Sequence, residues 1–262
     1  MLRCFFLRKS SVFEHVKTPQ SRKVPGRKTD IKDCQWILQL HCYGLLNRCF
    51  VADPDIKELR SYMRLREDHI RSASMHVNHM QKALTEMNIR LKEVLSQIQG
   101  KSGLTIIEAI LAGERDKVVL VTLCHGSILK NKKELILKSL QGRYSSTGLF
   151  ALKQAYEAYL FYNNQIKECD SQVNRVVNRM GDYGNEQLET RSRKPIRHHK
   201  PKIEKFGSNM LSIFDGKDAT LISGITDYTW LQLLSETGRD LTKWTTEKHF
   251  TSWLGLAPGQ NN

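Results

Sequence analysis

Asp30 and Asp33 stand three residues apart in VPGRKTDIKDCQW, just after a Pro-Gly turn and the basic pair Arg27-Lys28. Carboxylates at i and i+3 of a helix face the same way, about 5–6 Å apart at Cβ, which suits the holding of hard divalent cations. The same spacing is also what the acidic first turn of an ordinary helix provides, because carboxylates there sit against the positive end of the helix dipole. The residue types by themselves favour the helix-start reading. Other candidates are weaker. The cysteines at positions 4, 34, 42, 49, 124 and 169 form no C-x-x-C pair, fit no common zinc module and read as reduced thiols. His69, His76 and His79 fall within three turns on one helical flank and read as a polar, solvated face rather than metal ligands.

The elements that must position these groups are organised by charge and period. Lys and Arg number 41 against 27 Asp and Glu, a net charge of +14. So large an excess points to a polyanionic partner, with DNA and RNA ahead of an anionic membrane. No run approaches the ~18 apolar residues of a membrane span, and the opening MLRCFFLRKSS carries too short an apolar patch for a signal peptide. A soluble cytoplasmic protein is expected. The densest basic stretch is 184–205, where Arg191, Arg193, Lys194, Arg197, Lys200 and Lys202 are interleaved with prolines in a pattern suited to tracking a phosphate backbone.

Five segments follow from the pattern. Residues 1–23 are basic, lack periodicity, show no strand series and are expected to be poorly ordered. Residues 24–50 hold a short helix after Pro25-Gly26 that ends near Gly44. Residues 51–183 carry two heptad series, which predict a coiled-coil helical hairpin. The first runs from Ile56 through Leu59, Met63, Arg66 and Val77 to Ile98, with Arg66 its one polar member. The second runs from Leu149 to Met180, with Asn163 and Asp170 as its polar exceptions. Shorter helices over 102–113, 116–124 and 129–140 form a small helical knot at the far end. The two series can close within one chain or join two chains into a homo-oligomer, and the residues leave both open. Residues 184–205 form the basic linker. Residues 206–262 are a helical C-terminal element, in which Leu221, Ile222 and Ile225 flank Gly224 and Thr226 caps a helix bearing Trp230, Leu231, Leu233 and Leu234. A helix, a Gly-bearing hairpin and a second helix resemble a helix-hairpin-helix unit, whose hairpin amides hold a DNA phosphate. Gly224 and Thr226 are its candidate contacts, with apolar packing as the alternative role. A last helix beginning after Thr246 is expected to turn Phe250, Trp253 and Leu254 inward.

With these pieces in order the chain resembles the DEDD-type insertion-sequence transposases of bacteria, recombinases guided by a bridge RNA. VPGRKTDIKDCQWILQLHCYGLL is similar to the end of their RuvC-like domain, GLTIIEAILAGERD to their mid-region, and LISGITDYTW with WLGLAPGQNN to the entry of their serine domain. The resemblance implies a mainly α chain with an N-terminal remnant of a RuvC-like α/β domain, a coiled-coil hairpin and the start of a C-terminal transposase domain. It implies DNA transposition by strand cleavage and exchange, DNA and guide RNA as partners, Mg²⁺ as cofactor and a bacterial, nucleoid-associated location. It also reverses the reading of Asp30 and Asp33, which match the last two of the family's four carboxylates and become the catalytic and metal-binding candidates. Arg27, Lys28, the six basic residues of 184–205, Gly224 and Thr226 are the nucleic-acid candidates. The family's first Asp, its Glu and its serine find no match in these 262 residues, so an inactive piece truncated at both ends is expected. A non-catalytic nucleic-acid-binding assembly module is the alternative.

Overall fold

The computed structural model describes residues 5–9, 12–16, 29–45, 52–181, 201 and 203–254. Among them the chain is mainly helical and divides into two compact units, Met1–Pro54 and Asp55–Asn262. The first unit opens with an antiparallel ribbon, β1 (Phe5–Lys9) and β2 (Val12–Val16), with Phe5 opposite Val16 and Lys9 opposite Val12. The sequence showed no strand series here. Arg and Lys interrupt the aromatic and β-branched residues and mask so short a β pattern, while the two-residue connection is what antiparallel strands need. Helix α1 (Asp30–Cys42) follows, with Ile37 and Leu40 buried and Tyr43 and Gly44 ending it. Gly44 takes φ +67, the left-handed conformation that stops a helix cheaply.

The second unit is built on two long helices, α2 (Pro54–Glu86) and α7 (Ser146–Gly181). They run antiparallel within one chain: Arg179 pairs with Asp55 and Glu58, Arg66 with Asp170, and Tyr162 lies against His69 and His76. At about 1.5 Å per residue each is on the order of 50 Å long. Both heptad series face inward, with Leu59, Met63, Val77 and Leu84 buried on one side and Leu152, Tyr159, Val173 and Val177 on the other. The polar exceptions of the two series meet, because Arg66 Nε donates to Asp170 Oδ1 at 2.5 Å. Arg66 is 1% exposed, so the intact pair adds little net stability, whereas removing one partner would leave a buried charge unpaired. Asn163 instead returns its amide to the Tyr159 carbonyl at 2.8 Å.

The first series outlasts its helix. The heptads continue to Ile98, but α2 stops at Glu86, and Asn88 adopts φ +57. The chain turns there because the returning segment crosses Met87: Arg143 N donates to Met87 O at 2.8 Å, and a side chain at Gly142 would collide with that carbonyl. Met87, Ile89, Leu91 and Ile98 are buried all the same, in the core of the distal cap. That cap comprises α3 (Leu91–Val94), α4 (Lys101–Leu111), α5 (Lys117–Thr122) and α6 (Gly126–Ser139). It matches the expected knot of short helices, with bounds shifted by a few residues.

At the other end of the hairpin, α8 (Phe206–Ile213) packs on the end of α7. Ser212 Oγ donates to Gly181 O at 2.8 Å, and Asn209 donates to Asn178 Oδ1 at 2.6 Å. A short 3-10 turn (Ala219–Leu221), α9 (Asp227–Thr237) and α10 (Glu247–Trp253) complete the described chain.

Candidate nucleic-acid interface

The loop between the 3-10 turn and α9 is held from both sides by short-range caps. Asp218 accepts from Thr220 N at 2.9 Å and from its hydroxyl at 2.5 Å, closing the turn. Thr226 Oγ1 accepts from Thr229 N at 3.2 Å and so starts α9. Between them Gly224 takes φ +90 with open space where a side chain would be. Ile225 N donates back to Ile222 O at 3.1 Å, while the amides of Ser223 and Gly224 have no acceptor among the described residues. Leu221 and Ile222 each remain 61% exposed, whereas Ile225 is half-buried.

The loop stands on a rigid base that the sequence did not reveal. Trp230 of α9 is 1% exposed and packs edge-on against Phe206 and tilted against Phe214. Arg60 of α2 donates to the last carbonyls of α9, Ser235 O at 2.9 Å and Glu236 O at 2.8 Å, satisfying acceptors that the helix end leaves open. Arg64 forks onto the Glu236 carboxylate, and Glu67 accepts from Gln232 at 3.1 Å and from Tyr228 at 3.4 Å. The single available signal was the spacing of Arg60, Arg64 and Glu67 along one face of α2, which also describes any solvated helix. The last helix departs from expectation. Phe250, Trp253 and Leu254 do not turn inward; Phe250 and Trp253 gather around Trp244, with centroids 5.1 and 5.0 Å away, and Trp253 and Leu254 keep 38% exposure.

Asp30 and Asp33 lie in the first turn of α1, behind the Thr29 cap, whose hydroxyl accepts from Lys32 N at 3.3 Å. Asp30 is exposed, whereas Asp33 is half-buried, with its Oδ1 buried and unpartnered among the described residues. The two carboxylates therefore share a turn, and among the described residues no third His, Cys, Asp or Glu joins them to form a metal-holding group. The three histidines are also accounted for. Tyr162 stacks on His76 at 5.5 Å and 18°, His69 tilts over the same ring, and His79 meets His76 edge-on. Burial holds the His76 imidazole below its ordinary pKa, with His79 adding to the effect. These rings form an aromatic contact along the hairpin rather than a wholly solvated face. Arg27, Lys28, Arg191, Arg193, Lys194, Arg197, Lys200 and Lys202 lie outside the described residues.

Comparison with known families decides the lineage. Residues 12–89 match the IS110 DEDD family model, described as a transposase, and residues 219–262 match the transposase IS116/IS110/IS902 family. The chain thus carries, in two separate segments, the signatures of IS110-family transposases. The first match takes in β2, α1 and all of α2, a wider span than the 24–50 segment that the residues suggested. The second begins with the 3-10 turn, so the exposed loop of this transposase lies inside a family-matched segment. No curated protein and no solved structure matches the chain. Among the described residues no helix is long and apolar enough to cross a membrane.

Proposed function

We propose that this transposase chain binds DNA and a guide RNA, and that the loop 221–226 is its DNA contact. The supporting observation is the exposure of Leu221 and Ile222 around Gly224, at the start of a helix, with the Ser223 and Gly224 amides unused among the described residues. Backbone amides at a helix start hold a phosphate without reading sequence, and flanking apolar residues then rest against the sugars. In this reading the unit acts as a helix-hairpin-helix element mounted on a coiled-coil strut, and the basic segment 184–205 adds salt-dependent affinity. Self-association belongs to the same proposal. With both heptad seams turned into the hairpin, the outward Phe150, Leu160 and Phe161 of α7 supply apolar surface for a second copy.

Asp30 and Asp33 are proposed as two carboxylates of a RuvC-like metal site that serves strand cleavage. The orphaned Oδ1 of Asp33 fits such a role, since a buried carboxylate oxygen without a hydrogen bond is costly unless something cationic meets it. When bound, Mg²⁺ would stabilise charge developing on attacking and leaving oxygens. Two carboxylates hold Mg²⁺ weakly, because the ion keeps most of its waters unless further oxygens replace them. The alternative of a non-catalytic nucleic-acid-binding module rests on that same count of two carboxylates. The test combines binding and chemistry. Wild-type chain is titrated with duplex DNA and structured RNA across salt, then incubated with guide RNA, donor and target DNA in Mg²⁺, beside the Asp30→Ala/Asp33→Ala variant. Strong salt-dependent binding without recombination is expected. Binding that ignores salt sinks the DNA and RNA reading, and product absent from the variant shows that these residues supply a complete site.

A further inference from the structure

The distal cap carries a feature that the transposase reading does not use. A cleft of about 500 Å³ opens between α3 and the starts of α4 and α6, and Lys101, Ser102, His125, Ser127, Asn131 and Lys132 are among its lining residues. A second cavity of about 270 Å³ adjoins it through Ser96 and Gln97 and is lined by Asn78, Gln81, Gln99 and Tyr159. Neither lining contains a carboxylate. In a cap that also holds Glu93, Glu108, Glu114, Asp116 and Glu134, the acids are kept out of both cavities while two lysines stand in the first.

Of these two exposed lysines, Lys132 is held by the backbone. Lys132 donates its ammonium to the Val94 carbonyl at 2.8 Å, which anchors the charge at the cleft wall and leaves its other N–H groups free. Lys101 pairs with no carboxylate among the described residues. Lys101 itself opens the first turn of α4, where the Gly100 cap offers no side-chain acceptor to the amides that follow. Ser102 Oγ accepts from His125 N at 3.0 Å and so ties the start of α4 to the start of α6. Gly103 brings that turn against the backbone of Ile98, where a side chain would collide. Cations, helix-start amides and an acid-free lining together describe a site for a tetrahedral anion. The adjoining cavity presents amide side chains, which donate and accept as a nucleobase edge requires. Volumes of this size take one small ligand unit rather than a duplex groove.

We propose that this cleft binds one nucleotide of a single-stranded nucleic acid, with its phosphate between Lys101 and Lys132 and its base in the adjoining amide-lined cavity. The site is separate from the loop before α9, and it rests on the reading that nucleic acid is the partner of this chain.

The test is fluorescence anisotropy of the full chain with labelled single-stranded RNA, single-stranded DNA and duplex DNA across a salt series. Wild type is compared with Lys101→Gln/Lys132→Gln, which keeps a donor for Val94 O while removing both charges, and with Gln81→Ala/Gln97→Ala; circular dichroism checks that each folds. The expected result is about a tenfold loss of single-strand affinity in the lysine variant. Its salt slope should also be shallower by about 0.7 for the one phosphate released. A smaller loss is expected in the amide variant, and unchanged duplex binding in both. Loss confined to RNA or to DNA names the strand. Single-strand affinity and salt slope equal to wild type in the folded lysine variant overturn the inference and leave the loop reading intact. A wild-type chain that binds none of the three probes overturns both.

Discussion

Leu59 and Leu152 in the hairpin are fully buried, while Leu221 and Ile222 in the loop before α9 keep 61% of their surface. Residues of one chemical type thus do two different jobs in one compact unit. In the hairpin each apolar side chain removed from water contributes on the order of 2 kcal/mol to folding. In the loop the smaller part of that stabilisation is collected, and most of the apolar surface faces outward. What separates the two is the neighbouring backbone. The heptad leucines repeat every three or four residues on a continuous helix, whereas Leu221 and Ile222 end a three-residue 3-10 turn just before a glycine at positive φ, where no continuous helix face exists to bury them.

The widest gap between the two regions should appear in stability. Leu152→Ala is expected to cost about 3 kcal/mol in denaturant unfolding, because it leaves a cavity between α2 and α7. Leu221→Ala should stay within about 0.5 kcal/mol of wild type. Equal costs at the two positions would erase the distinction.

A somewhat smaller effect is expected at the polar centre of the hairpin. Asp170→Ala strands the Arg66 guanidinium in the seam and should cost about 2–3 kcal/mol, reduced from that of a fully buried pair because Asp170 is partly exposed. Replacing both partners, Arg66→Met/Asp170→Leu, should recover most of that loss, since an apolar pair needs no desolvation. If the double replacement is as damaging as the single one, the intact pair supplies net stability.

The smallest effect belongs to His76. Burial depresses its folded pKa, so the unfolded chain binds the proton more readily. Its contribution to stability is full above the ordinary imidazole pKa and is lost as pH falls through the depressed value. His76→Gln should flatten the stability profile over that window, measured by denaturant midpoints from pH 7.5 to pH 5 with His69 and His79 intact. An unchanged profile would show that the stack against Tyr162 carries no such linkage.

These contrasts follow how far each feature could be read from residues. The hairpin was legible because apolar positions repeated in step along both series, and two of its three polar members, Arg66 and Asp170, turned out to answer each other. The end of α2 was not legible, since Met87, Leu91 and Ile98 continue the same period while Asn88 alone marks the turn. The ribbon at Phe5–Lys9 and Val12–Val16 was hidden by its own lysines and arginines. Gly224 and Thr226 were legible as a turn and a cap, and the residues left open whether the apolar neighbours were packed or exposed. The anchoring of α9 by Arg60 was out of reach, because its acceptors are backbone carbonyls more than 170 residues away, which carry no side-chain signature.

The most direct test of the account is whether the exposed loop holds DNA without helping to hold the fold. Duplex affinity and thermal unfolding are to be measured side by side for wild type and Leu221→Ser/Ile222→Ser, which leaves the positive-φ Gly224 in place. The account predicts an affinity loss of about tenfold, the scale of one well-held phosphate, with the melting transition essentially where it was. Duplex binding equal to wild type, or a melting transition that collapses while binding of the folded fraction persists, would contradict it and return Leu221 and Ile222 to a structural role.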